Sequence, residues 1–191
     1  MVKKPNTKII IGLIGEIASG KDTVADYLVK KYNSQTISFS QPLRDILDRL
    51  YLPQTRINMA NLGIVLRDEF GQDILAKIIT QEIKTSKKPV VCLPNIRLKS
   101  DMTRINKLKN FILINIETDP KIRYKRIIKR SQNKDDKTKT WAQFTKDSNL
   151  STETEIKKIG KSAKFSIDNN SDYKHLYTQI DKIMKLITYN S

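Results

Sequence analysis

Between Lys8 and Leu28 the chain reads KIIIGLIGEIASGKDTVADYL, and no other stretch limits the fold as much. Ile9 to Ile14 is an apolar run interrupted only by Gly12, the pattern of a strand covered on both faces. Gly15, Ala18, Ser19 and Gly20 follow, small residues that suit the interior of neither a strand nor a helix. After Lys21, the residues Val24, Ala25 and Leu28 recur at helical spacing, with Asp22 and Asp26 in the opening turns. Strand, glycine loop, lysine and helix in that order form a phosphate-binding loop, or P-loop. Gly15 and Gly20 let the backbone of Glu16, Ile17, Ala18 and Ser19 turn its N–H groups toward a phosphate chain. Lys21 adds a point charge for the β- and γ-phosphates at the positive end of the helix dipole. Residues 15 to 23 are therefore the expected ATP site. The usual pattern places Ser or Thr after the lysine to hold Mg²⁺; here Asp22 stands in that place and Thr23 follows, so these two are the expected metal-holding residues.

Beyond the loop, strands and helices are expected to alternate. Gln35 to Phe39 reads as a second strand, followed by Ser40 as a helix cap and Pro42 in the first turn. Leu43, Ile46, Leu47 and Leu50 give that helix one apolar face. Two further helices, ending near Phe70 and Ile83, complete a helical insertion over about residues 42–85, placed to cover a substrate. Val90 to Leu93 reads as a third, fully buried strand and Phe111 to Ile116 as a fourth, with a polar helix from Lys99 to Asn110 between them. Asp119 and Pro120 open a helix running to Ser131. The polar run SQNKDDKTKT, residues 131–140, reads as a short lid. Trp141 and Phe144 are expected to plug the space beneath it. A last strand over Ala163 to Ile167, the turn Asp168 to Ser171 and a closing helix from Tyr173 follow. The expectation is one domain over residues 1–191: a three-layer α/β/α fold on a five-stranded parallel sheet, with ligands at the carboxyl ends of the strands.

Composition narrows the surroundings. A single cysteine, Cys92, excludes an internal disulfide framework, and its apolar neighbours make it a buried structural thiol. No apolar run approaches the ~20 residues of a membrane span, and the basic start MVKKPNTK flows straight into the first strand, so a cytoplasmic protein is expected. The net charge of +16 admits a nucleic-acid partner, but the lysines are scattered and no aromatic residues interleave them. Anionic small molecules are the favoured partners, drawn in by the positive field.

Phosphoryl transfer calls for cations spread around the moving phosphate. Arg44 follows the second strand and Arg97 the third, where a clamp on an acceptor phosphate would sit. Arg123, Arg126 and Arg130 fall at i, i+3 and i+7 of one helix and share a face, all three candidate catalytic cations; Arg126 and Arg130, next to the lid, are placed to close over the γ-phosphate.

GEIASGKDTVADYL, ISFSQPLR, LPNIR and RYKRIIKR together resemble a nucleoside monophosphate kinase of the adenylate-kinase-like P-loop superfamily. The layout is more narrowly similar to the dephospho-CoA-kinase-like and phage deoxynucleotide-kinase-like group, as are LGIVLRDEFGQDILA, TWAQF and AKFSIDNNSDYKHL. This resemblance implies ATP and Mg²⁺ as cofactors and Arg44 and Arg97 on an acceptor monophosphate. It also implies Arg123, Arg126 and Arg130 as lid arginines, and the loop around Asn169 along the adenine. Two departures stand out. Leu93-Pro94-Asn95 lacks the carboxylate that relatives carry near the end of strand three, and Asp22 replaces the metal-holding hydroxyl. One account joins them: Asp22 supplies the carboxylate. The alternatives are a dephospho-CoA kinase, which expects an Asp soon after strand two where this chain has none before Asp45, and a degenerate protein that binds nucleotide or nucleic acid without turnover.

Overall fold

The computed structural model describes residues 8–130 and 136–189. Strand β1 (Ile9–Ile14) is fully buried and lies at the centre of a five-stranded parallel sheet. Its neighbours are β3 (Val90–Leu93) and β4 (Phe111–Glu117); β2 (Ser34–Thr36) and β5 (Phe165–Asp168) form the edges, giving the order β2-β3-β1-β4-β5. In register, Ile11 pairs with Cys92 on one side and with Ile112 on the other.

Alternation along β1 splits the core into two layers. Ile9, Ile11 and Leu13 pack with Val24, Ala25 and Leu28 of α1 (Lys21–Tyr32) and with Leu176, Ile180 and Met184 of α9 (Tyr173–Tyr189). Ile10 and Ile14 face the other way. There they meet Leu43 of α2 (Gln41–Arg49), Leu75 and Ile79 of α4 (Ile74–Thr85), Met102 and Ile105 of α5 (Lys99–Ile105), and Ile156 and Ile159 of α8 (Ser151–Gly160). The chain is a three-layer α/β/α fold, as its alternating pattern implied.

Helix α3 (Arg56–Phe70) joins α2 and α4 in the insertion between β2 and β3. After β4 come α6 (Pro120–Arg130), a short 3₁₀ turn (Asp136–Thr138) and α7 (Trp141–Asp147). Residues 131–135 of the expected lid lie outside the described residues. Phe144 is buried against Tyr124, with Trp141 packed beside both and half open to solvent, an aromatic cluster joining α6 and α7.

Three local expectations need correction. Strand β2 stops at Thr36, because after Ile37 donates to Cys92 O the chain turns at Ser38 to enter α2. Ser40 occupies the cap position of α2 without capping it by its side chain; its hydroxyl meets that of Ser38. Helix α5 ends at Ile105, well short of Asn110, which takes the left-handed conformation (φ 64°) ahead of β4. Cys92 is buried and unpaired, and burial pushes its thiol pKa up.

Candidate functional site

The P-loop leaves β1 at its carboxyl end, where β3 and β4 flank it. Ala18 (φ 59°) and Gly20 (φ 101°) both take positive φ, and Gly20 starts α1. A side chain at Gly20 would run into Asn169 Nδ2, so this turn needs glycine for both its conformation and its neighbour. Behind the turn, three donors gather on the Ser19 carbonyl: Asn169 Nδ2 at 2.7 Å, Thr118 Oγ1 at 3.0 Å and Arg126 at 3.5 Å. Arg126 also donates to Asn169 O at 2.9 Å. The ends of β4 and β5 thereby pin the back of the loop. Asn169 is buried and works here as a brace.

The Lys21 ammonium folds back onto the loop and donates to Gly15 O at 2.7 Å and Glu16 O at 3.0 Å. Burial and, second, the nearby Arg97 guanidinium push its pKa down to about 8. Arg97, exposed at the turn after β3, is thus close enough to Lys21 for the two cations to repel. Asp22 is exposed in the first turn of α1. Its charge acts on the neighbouring Lys21 ammonium, opposing the downward push on that group.

Arg123, a lid arginine by resemblance, is held here within the frame of the loop. It is 1% exposed, pairs with Glu16 at 3.0 Å, and donates to Thr118 O at 3.2 Å and Ile17 O at 3.4 Å, with its guanidinium over the Phe144 ring. It frames the loop from below. Arg44 is half-buried on α2 and donates to Gln54 Oε1 at 2.8 Å, so Gln54, not the loop, holds it. Arg97, Arg126 and Lys21 are gathered round the loop; Arg44 stands apart. The side chain of Arg130 lies outside the described residues.

Sequence reasoning missed the residues that α8 brings. Glu153, 9% exposed, accepts from the Ile17 amide at 3.3 Å and acts on Lys21, while Lys157 pairs with Glu16 at 3.3 Å. A carboxylate therefore occupies a loop amide that phosphate loops turn toward an anion. An acidic residue in the first turn of a helix was the available signal, but it reads equally well as ordinary complementation of the helix dipole.

Loop, central lysine and parallel sheet define a P-loop kinase-like protein with a nucleotide-binding fold. The family model described as "AAA domain" matches residues 14–143, more than half of the chain, and the chain belongs to that family. Two similar relatives are UPF0200 proteins. That of Methanocaldococcus jannaschii is 28% identical, over 95% of this chain and 92% of its own; that of Pyrococcus horikoshii is 23% identical, over 95% and 99%. Among solved structures, TT1252 from Thermus thermophilus superposes with a TM-score of 0.61 at 18% identity, covering 96% of this chain and all of that one. A shikimate kinase from Acinetobacter baumannii, solved with shikimate, gives 0.54 at 15% identity over 97% and 96%. At these identities the two structures speak for the fold. Among the described residues, no helix is long and apolar enough to cross a membrane.

Proposed function

We propose that the protein transfers the γ-phosphoryl group of ATP to a small phosphorylated acceptor, a nucleoside or deoxynucleoside monophosphate. The observation that carries this reading is the phosphate loop itself, with the Lys21 ammonium folded onto the Gly15 and Glu16 carbonyls at the end of β1 and Arg97 in the turn after the neighbouring strand β3. Two cations brought to the ends of adjacent strands are costly unless an anion comes between them. A phosphate donor on the loop and an acceptor phosphate on Arg97 would supply that anion from both sides. The Glu153 carboxylate on the Ile17 amide supports the same view of the loop as an anion seat.

The residues divide the work as follows. The amides of residues 15 to 20 and Lys21 hold the β- and γ-phosphates. Arg97, with Arg44 on the covering helices, orients the acceptor. Arg126, braced on Asn169 and Ser19, borders the nucleotide. Arg130 is retained as a lid arginine. Catalysis is then proximity plus charge stabilisation, with no covalent intermediate on the protein. A resident Mg²⁺ fits the donor set in one place. Among the described residues no three His, Cys, Asp or Glu side chains gather, but Mg²⁺ commonly needs only one or two carboxylates beside the phosphates. Asp22, with Thr23 beside it, would hold the ion, whose chemistry is to neutralise charge between the β- and γ-phosphates.

ADP release from Mg²⁺-ATP over a panel of ribo- and deoxyribo-monophosphates, with Lys21→Ala as control, tests this. Turnover on one acceptor, lost in the variant, is the expected result. A specific observation favours a second reading: Leu93-Pro94-Asn95, at the end of β3 beside the loop, offers no carboxylate to help hold a metal ion. ATP binding without turnover on any acceptor would select it, a nucleotide-binding protein that does not catalyse transfer.

A further inference from the structure

The acceptor side contains a buried contact that the proposed roles do not use. Asp101, 4% exposed on α5, directs Oδ2 back to two amides of the turn after β3: Arg97 N at 3.2 Å and Leu98 N at 3.0 Å. Its other oxygen, Oδ1, lies 3.9 Å from the Arg67 guanidinium on α3. Arg67 is itself largely covered. It donates to Gly63 O one turn earlier at 3.1 Å, and its Nε is buried with no hydrogen-bond partner among the described residues. Gly63 serves this arrangement, since a Cβ there would come within 3.0 Å of the Arg67 guanidinium. Glycine is a poor choice for a helix interior; here the missing side chain leaves room for the arginine that lies against it.

We propose that Arg67 and Asp101 are positioning residues: a latch between the covering helix α3 and the Arg97 turn that sets where Arg97 meets the acceptor phosphate. The inference rests on the phosphotransferase reading above. Asp101 alone fixes the turn through two amides, a half of the usual capping box. Arg67 compensates the buried carboxylate, whose pKa burial would otherwise raise further. The pair therefore makes the position of Arg97 depend on the seating of α3. A second ion pair, Arg104 to Asp73 at 2.6 Å, ties α5 to the start of α4, so the insertion grips α5 at two places. Only the first of these reaches the Arg97 turn.

The test compares Arg67→Met, Arg67→Lys, Asp101→Asn and the Arg67→Met/Asp101→Asn double variant in the full chain. Two readouts are used: acceptor and ATP kinetics, and hydrogen exchange at the Arg97 and Leu98 amides. Arg67→Met should raise exchange at both amides and cut kcat/KM for the acceptor by about tenfold, leaving KM for ATP within about twofold. Arg67→Lys should recover most of the loss, and the double variant should be no worse than the poorer single one. Unchanged exchange at the two amides overturns the latch. Equal losses on ATP and acceptor, with a lowered melting temperature, also overturn it in favour of a purely structural pair. If the wild-type protein turns over no acceptor, the phosphotransferase reading fails, and the latch then stands or falls on the exchange result alone.

Discussion

Replacing Arg123 by methionine separates a frame residue from a phosphate ligand. The side chain is 2% exposed and its partner Glu16 is 21% exposed. Breaking a fully buried pair costs about 3–5 kcal/mol, but Glu16 keeps Lys157 at 3.3 Å and some water, which argues for the low end. The carbonyls of Thr118 and Ile17 lose a donor, at about 1 kcal/mol each or less. Methionine retains contact with Phe144 and returns part of the packing. The sum is a loss of about 3 kcal/mol. With a urea m-value of about 2 kcal/mol/M, the midpoint should fall by about 1.5 M at constant m. Urea unfolding followed by circular dichroism reads this directly, and Glu16→Gln in the same background should add less than it does alone, because the two share one interaction. A variant within about 0.5 kcal/mol of wild type that nevertheless loses turnover would refute the argument and return Arg123 to the reacting phosphate.

The other expectations are more local. Arg126→Met should weaken ATP binding several-fold while shifting the urea midpoint far less than Arg123→Met, checked by calorimetric titration beside the unfolding curve. Gly20→Ala should abolish nucleotide binding and cost about 1–3 kcal/mol, since the residue takes φ 101° and its Cβ meets Asn169. Lys21 gives a signed pH effect. Its pKa is about 8 in the folded, nucleotide-free protein against 10.5 for an ordinary lysine, so between those values the unfolded chain carries more protons. Raising the pH through that window should therefore stabilise the ligand-free fold through this group. ATP, which favours the charged lysine, should bind more weakly above pH 8 and take up a proton as it binds. Titration in buffers of different ionisation enthalpy at pH 8.5 measures that uptake, and no uptake would contradict the assignment.

What could be read from the sequence was what neighbours in the chain decide. The alternation of β1, the glycine loop and the start of α1 are consecutive, and the two core layers follow from Ile9, Ile11 and Leu13 against Ile10 and Ile14. The arginines of α6 show where that reasoning stops. Spacing places Arg123 and Arg126 on one side, but cannot say that the side is packed against the loop. A signal was present, because Arg123 sits four residues before the buried Ile127 and so shares the helix's inner stripe. Glu153 and Arg67 had no such local mark. Glu153 reaches Ile17 across 136 residues of chain, and Arg67 acquires its role only where α3 and α5 meet.

The charge around the loop follows from the same distinction. Besides Asp22, the anions Glu16 and Glu153 are set among its cations, and these two differ in what holds them. Glu16 is fixed by Arg123 and Lys157, so it belongs to the frame and stays when a nucleotide arrives. Glu153 has a loop amide at 3.3 Å, a long bond that a phosphate oxygen seated in the loop can replace with a shorter one. Nucleotide binding should then be an exchange of anions on a preformed seat, with Glu153 leaving the Ile17 amide and Lys21 turning from the loop carbonyls to the phosphates. Such an exchange predicts that Glu153→Gln, which keeps the shape and removes the competing charge, binds ATP more tightly by about tenfold, a gain of about 1.4 kcal/mol. Weaker binding in the calorimeter would instead make Glu153 a ligand of the bound nucleotide complex, and the exchange picture would fall.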